Sequence, residues 1–362
     1  MEWVPKAGGG GGIARSQTTE RPKGQIHRER MIHLAFKICS VGCGAMAKAG
    51  HGPSFQKYAN DHTDVVLGAC CDINEESAQW FQRRFGFERA YTDIDQMLTQ
   101  EKPDAVSLVV PVHLTESLTV KLLEAHIPVI LEKPPGMNRA QTLHMMEVAN
   151  RTGTPNQISF NRRFMPVVKR FQELRQGCSA QMWQYDFFRN GRRDADFSTT
   201  SIHGIDTLRY LVGKPYRNVT FRYYPNPVDD SFVPTIILDC EFEDGEMGRI
   251  CFAPSAGIDA ERCMMFGVNE MISASLPFHG VNGSLDGDGE IILAREGAVV
   301  LREPAQKTDA FIANGFFGEN QTFFDCIRKG IRPVDDIASG LQAVEIADCI
   351  RQKKTYYENN GN

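Results

Sequence analysis

Residues 36–47 read Phe-Lys-Ile-Cys-Ser-Val-Gly-Cys-Gly-Ala-Met-Ala. A short β-rich run breaks into the loop Gly42-Cys43-Gly44-Ala45-Met46-Ala47, and helical spacing follows to about residue 59. A strand that ends in G-x-G-x-x-A and opens a helix is the start of a dinucleotide-binding sheet. Gly42 permits the tight turn, Gly44 lets backbone N–H groups approach a pyrophosphate, and Ala47 keeps the helix close to the sheet. The next apolar run, 65–71, ends at Asp72, where a carboxylate can accept hydrogen bonds from ribose hydroxyls. That carboxylate repels a 2′-phosphate, and Ile73 and Asn74 supply no compensating cation, so the reading is NAD in preference to NADP.

Outward from this unit the chain alternates strand and helix. Strands are expected at 36–41, 65–71, 89–92, 105–110, 129–132 and 157–160. Helices are expected at 75–85, at 93–100 behind an Asp93 cap, at 114–125, and at 139–151 with Gly153 as the stop. Nearly continuous apolar strands separated by amphipathic helices mean a parallel sheet covered on both faces. After residue 160 the texture changes. A helix at 166–175 precedes longer alternating runs, among them 182–189, 218–224, 235–243, 247–252, 284–285 and 290–294, with hairpin turns at 243–245 and 286–289. Closing helices are expected at 318–329 and 336–351. The fold class is therefore α/β: an N-terminal Rossmann domain, then an α/β domain with a large, mostly antiparallel sheet. The expected divisions are 1–32 as a disordered leader, 33–156 as the nucleotide-binding domain and 157–355 as the substrate domain.

Composition sets the surroundings. The 362 residues carry 40 Lys/Arg against 45 Asp/Glu, a net charge of −5, with 42% apolar residues. An acidic chain without a long basic run is a poor nucleic-acid binder. No apolar run approaches the ~20 residues that span a bilayer. The ten cysteines form no C-x-x-C pair and no group with zinc spacing, so no metal is expected; they read as reduced and buried, in the cytoplasm. Residues 1–30 hold the run Gly8–Gly12 and six Lys/Arg against three Glu, a disordered composition without a secretory apolar core.

Three further groups carry chemistry. Glu132-Lys133-Pro134-Pro135 ends a strand at the carboxyl edge of the sheet, where ligands of open α/β sheets bind. A lysine there can donate to a substrate oxygen and stabilise alkoxide charge. His203, in Ile202-His203-Gly204-Ile205-Asp206, begins a helical run and can act as a base near neutrality. Asp206 reads either as part of the site or as an exposed first-turn carboxylate. Asn161-Arg162-Arg163 is either a site cluster or a solvated basic edge.

The glycine loop, Asp72, Pro111-Val112-His113, Glu132-Lys133-Pro134, Asn161-Arg162-Arg163-Phe164 and His203-Gly204-Ile205-Asp206 follow in this order. The set resembles the glucose–fructose oxidoreductase / inositol dehydrogenase family over roughly residues 36–352. The closing run Phe323-Phe324-Asp325-Cys326-Ile327 and then Gly340-Leu341-Gln342-Ala343 fits the same pattern. The resemblance implies that Lys133 lies beside the nicotinamide and orients the carbinol, and that His203 is the acid/base. Cofactor contacts are expected from Gly42, Cys43, Gly44, Ala45, Met46, Asp72, Val110, Pro111, His113, Glu132, Lys133 and Arg162. Many members carry an aspartate four residues before the histidine; here the residue is Thr199, with Asp196 close in sequence.

The expected activity is hydride transfer between a sugar or cyclic polyol carbinol and NAD. A redox-neutral glycosidase or lyase working through a transient keto-sugar, and a non-catalytic NAD-binding regulator, are the alternatives. Trp183, Tyr185, Arg189, Arg192 and Arg193 are pocket residues or core and surface residues. A dimer or tetramer is expected, because an open sheet face of this size is rarely left exposed.

Overall fold

The computed structural model describes residues 35–277 and 289–359. The leader expected at 1–32, the start of the first domain at 33–34, the strand at 284–285 and most of the 286–289 turn lie outside the described residues.

The first sheet has six strands: β1 (Phe36–Val41), β2 (Val65–Cys71), β3 (Arg89–Tyr91), β4 (Ala105–Leu108), β5 (Val129–Glu132) and β6 (Asn156–Ser159). Their order is β3-β2-β1-β4-β5-β6 and every pairing is parallel. Such pairings need crossover helices, and local chemistry starts and stops them. Asn74, Asp93 and Asn138 each accept a backbone N–H at the head of the helices Glu75–Phe85, Ile94–Glu101 and Arg139–Thr152. Gly86 and Gly153 close the first and last of these in the left-handed conformation. The order reverses between β1 and β4, which opens a crevice at their carboxyl ends. The boundary expected at 156/157 falls inside β6, because that strand hydrogen-bonds to β5 from its first residue.

The second sheet has nine strands: β7 (Ala180–Phe188), β8 (Tyr216–Tyr224), β9 (Thr235–Phe242), β10 (Met247–Ala253), β11 (Ala260–Gly267), β12 (Glu270–Ser275), β13 (Glu290–Arg295), β14 (Ala298–Pro304) and β15 (Tyr356–Glu358). The order is β14-β13-β12-β11-β7-β10-β9-β8-β15, antiparallel except where β10 runs parallel to β7. Its covered face buries Trp183, Tyr185, Phe187, Ile250 and Phe252 beneath the helices Pro166–Leu174, Ser198–Val212 and Leu341–Arg351. Gly204 makes the close approach possible, since a Cβ there would stand 2.9 Å from the Phe252 ring. The other face alternates out of step and carries Met182, Asp186, Met247, Arg249 and Met264.

The helix Phe316–Arg328 returns to the first sheet. Phe323 and Phe324 are fully buried in a cluster with Phe55 and Tyr58, and Phe36 packs against it. The Phe324 ring lies 5.2 Å from that of Tyr58 and 6.0 Å from that of Phe55, and the Tyr58 hydroxyl donates to Asp325 at 2.7 Å. The segment 157–355 is therefore not confined to the second sheet: its aromatic pair completes the first. All ten cysteines are free, seven of them buried. Phe324→Ala is expected to destabilise the protein by ~3–5 kcal/mol, the usual cost of emptying an aromatic core position. Denaturant unfolding followed by tryptophan fluorescence checks it.

Candidate active site between the two sheets

The cofactor cradle is built at the end of β1. Gly42 has φ +92°, and a Cβ on it would lie 2.0 Å from the Val109 carbonyl oxygen, so only glycine fits the turn. Its N–H donates to the Cys71 carbonyl at 2.8 Å. At Gly44 an added Cβ would meet nothing within 4 Å, so nothing on the protein side demands glycine there. The free space lies in front of residues 44–46, whose amides belong to the first turn of a helix and lack an intrahelical acceptor. Bare backbone, open space and a helix start suit a pyrophosphate. Ala47 is fully buried. Asp72 is tied into the same cradle: Oδ2 accepts the Cys43 N–H at 2.7 Å and Oδ1 the Asn74 N–H at 2.9 Å. Ile73 and Asn74 bring no positive charge to it, as Asn74 caps the next helix. Val110 stands against the Gly42 turn, while Pro111 and His113 are exposed at the head of the helix Val112–Glu124. These features fit a dinucleotide.

A cavity of about 460 Å³ opens beside this cradle. Met46, Glu132, Lys133, Arg162 and His203 all line it, so five of the expected site residues meet although 157 positions separate the first from the last. Lys133 leaves β5 through a cis peptide to Pro134. Its Nζ donates to the Thr199 carbonyl at 3.3 Å. Thr199 thus meets the lysine through its backbone, and its hydroxyl donates to the Asp196 carbonyl. Burial pushes the Lys133 ammonium below its ordinary range; Glu132 opposes that shift, and Arg162 and Arg192 add to it.

His203 sits in the first half of the helix Ser198–Val212, with Nδ1 buried and without a partner among the described residues. Burial, and then the positive charges of Arg162, Lys133 and Arg189, push its imidazole well below the ordinary value. With no carboxylate among the causes, the histidine is neutral at neutral pH, the form that accepts a proton.

One buried carboxylate organises the floor. Glu261 accepts from Arg162 Nε and Nη2 at 2.7 and 2.5 Å, from the Tyr185 hydroxyl at 2.5 Å, and from Arg189. Burial alone would raise its carboxyl, but the two guanidinium groups hold it down to about 2. Arg162, expected at the cofactor, therefore has its fork occupied from within the protein. Glu132 is likewise engaged: Oε1 pairs with His51 Nε2 at 3.0 Å, and Oε2 accepts the Lys133 N–H at 3.1 Å.

Two of the alternatives left open above are settled against exposure. Asn161, Arg162 and Arg163 are all buried. Asp206 is buried too, its two oxygens taken by Arg163 at 2.9 and 2.5 Å, because the helix turns that face toward the end of the first sheet. Among the residues offered for the pocket, Arg189 and Arg192 line it, and Tyr185 lies beneath it on Glu261. Trp183 is core, with its indole N–H on Glu246, and Arg193 pairs with Asp229 away from the cavity. Sequence reasoning passed over Glu261, His51, Glu319 and Asn320. Each has polar residues or glycines as near neighbours in the chain, so nothing local marks it as buried, and its partners lie far away in sequence.

The comparisons with known proteins agree with this geometry. A family model described as "Oxidoreductase family, NAD-binding Rossmann fold" matches residues 36–160, and its companion for the C-terminal alpha/beta domain matches residues 189–355. D-glucoside 3-dehydrogenase of Escherichia coli is 28% identical over 52% of this chain, and the match spans 57% of that enzyme, little more than half its length. Myo-inositol 2-dehydrogenase of Thermotoga maritima is 23% identical over 78% of this chain and 86% of that enzyme. The solved structure of scyllo-inositol dehydrogenase from Lactobacillus casei, with NAD(H) and scyllo-inositol bound, shares the fold with a TM-score of 0.73 at 19% identity, covering 90% of this chain and 99% of that one. With both halves matched and the cradle in place, the chain belongs to the Gfo/Idh/MocA family of oxidoreductases with an NAD-binding Rossmann fold.

Proposed function

We propose that the protein is an NAD-dependent dehydrogenase acting on a secondary alcohol of a sugar or cyclic polyol. One observation carries this reading: Lys133 from the first sheet and His203 from the second domain line a single cavity beside the glycine loop. The names of the glucoside and inositol dehydrogenases among its relatives support the substrate class. Residues 42–46, Asp72 and Val110 would hold the cofactor, which when bound supplies the hydride acceptor.

The chain's own residues handle the oxygen and its proton. An ammonium has three N–H donors; Lys133 gives one to Thr199, and the remaining two are available to the substrate oxygen, where they stabilise alkoxide charge. His203, neutral in its cation-rich setting, takes the hydroxyl proton during oxidation and returns it during reduction. The exposed sheet face with Met182, Met247 and Met264 supports a homo-oligomer, and ten unpaired thiols suit a reducing compartment.

A screen of sugars and polyols, following absorbance of the reduced cofactor, tests the activity; no turnover of any of them overturns it. Lys133→Met should abolish turnover while leaving NAD binding nearly intact. His203→Ala should lower kcat by ~10²–10⁴-fold. In the native enzyme the oxidation rate should hold as pH falls past ~6.5 and drop only through the lowered histidine value; His203→Ala should remove that acid limb. Calorimetric titration should find NAD(H) bound more tightly than NADP(H), and equal or reversed affinity refutes the role given to Asp72.

A further inference from the structure

We propose that Glu132, clamped by His51, is a positioning residue that aims Lys133 and keeps its side chain cationic; this rests on the role given to Lys133 above. Three elements converge behind the lysine. A π-helical turn, Ala47–His51, interrupts the helix that follows the glycine loop and carries His51, which is fully buried. Strand β5 ends in Glu132, also buried. The first turns of the helix Phe316–Arg328 bring Glu319 and Asn320, both fully buried. π-turns of this kind recur at functional sites.

The hydrogen bonds have a direction. Asn320 Nδ2 donates to the Phe316 carbonyl at 2.8 Å, which fixes the orientation of the amide. Its second hydrogen then points to His51 Nδ1 at 3.1 Å, so Nδ1 accepts and the ring proton sits on Nε2. Nε2–H donates to Glu132 Oε1, and the Lys133 amide donates to Oε2. Burial alone would raise the Glu132 carboxyl, but His51 and Lys133 hold it below its ordinary range, so the acceptor of these two N–H bonds is a carboxylate. Glu132 thus holds the backbone from which the Lys133 side chain departs.

The charge balance points the same way. Glu132 and Glu319 lie close enough to repel each other. Both oxygens of Glu319 lack partners among the described residues, and burial followed by repulsion from Glu132 and Asp335 pushes its carboxyl well above the usual range. Glu319 is neutral, which leaves Glu132 as the negative charge beside the lysine. Facing Lys133 from the other elements are Arg162 on the turn Asn161–Phe164, Arg192 on the segment before the helix Ser198–Val212, and His203 on that helix. A lysine buried among these cations loses its proton unless an anion opposes them. A neutral amine would stabilise an alkoxide far less, since it offers hydrogen bonds without the positive charge.

The test reads Lys133 directly, with no substrate. The full-length protein is labelled with trace acetic anhydride across a pH series, and the extent of Lys133 acetylation is followed by mass spectrometry. Glu132→Gln should move the Lys133 midpoint down by about one to three pH units, the effect expected of an opposite charge at close range. Glu319→Gln, which replaces a neutral group by a neutral group, should leave it in place. His51→Ala should also lower the midpoint and cut kcat, whereas His51→Gln, which retains an N–H for Glu132, should restore both. An unmoved midpoint in a folded Glu132→Gln protein overturns the proposal. If that variant does not fold, equal midpoints for His51→Ala, His51→Gln and the native protein overturn it instead. Failure to find any oxidisable sugar would refute the dehydrogenase reading alone, because the labelling does not depend on turnover.

Discussion

Two consecutive arginines hold the second domain against the end of the parallel sheet. Arg162 and Arg163 occupy one turn directly after β6 and reach to different partners. Arg162 forks onto Glu261 of β11. Arg163 forks onto Asp206 of the histidine-bearing helix and also reaches Asp335 in the segment before the closing helix. The cavity exists because this turn sets where β7, β11 and the helix Ser198–Val212 stand relative to the glycine loop. Buried ion pairs are weak evidence for stability, since desolvation offsets much of the attraction, yet removing one partner costs about 3–5 kcal/mol because a charge is stranded. Their value here is geometric. A bidentate fork fixes angle as well as distance, and Lys133 and His203 must meet across this junction.

The same arrangement sets the electrostatics. Two guanidinium groups share Glu261, so the floor of the cavity carries more positive than negative charge on that cluster, and this adds to the burial that already depresses His203. In the proposed reaction the substrate oxygen would gain negative charge as its proton leaves, and the surrounding cations would favour that state. Thr199 meets Lys133 through its backbone carbonyl, and its neutral side chain adds no counter-charge to the field. In the proposed reaction His203 would serve as the neutral base and Lys133 as an ammonium opposed by the counter-charge of Glu132.

Legibility from sequence followed burial pattern. The first sheet was readable almost strand for strand, since 65–71 is apolar throughout, 129–132 is apolar up to its final Glu132, and the helices that follow them carry caps at both ends. In the second sheet β11, β12, β14 and the short β15 escaped. Strand β11 begins Ala-Glu-Arg, and Glu261 faces inward; a paired carboxylate in a core position breaks the apolar alternation that marks a strand. Strand β14 lies at the sheet edge and is exposed along much of its length, so it has no pattern to read. In the site, Lys133 and His203 stood out through their neighbours, Pro134 and Gly204. Asp206 looked like a surface carboxylate because its partner, Arg163, is 43 residues away. His51 and Asn320, 269 positions apart, could be joined only by the fold.

The return of the helix Phe316–Arg328 to the first sheet has a consequence for biosynthesis. The aromatic surface formed by Phe36, Phe55 and Tyr58 is made at least 265 residues before Phe323 and Phe324, which cover it. The nucleotide-binding half therefore cannot finish folding as it emerges, as a separate N-terminal domain would. It waits, with an apolar flank open to chaperones, until the helix Phe316–Arg328 has been made. The Asn320–His51 bond belongs to the same late event, so the cofactor cradle and the support behind Lys133 are completed together.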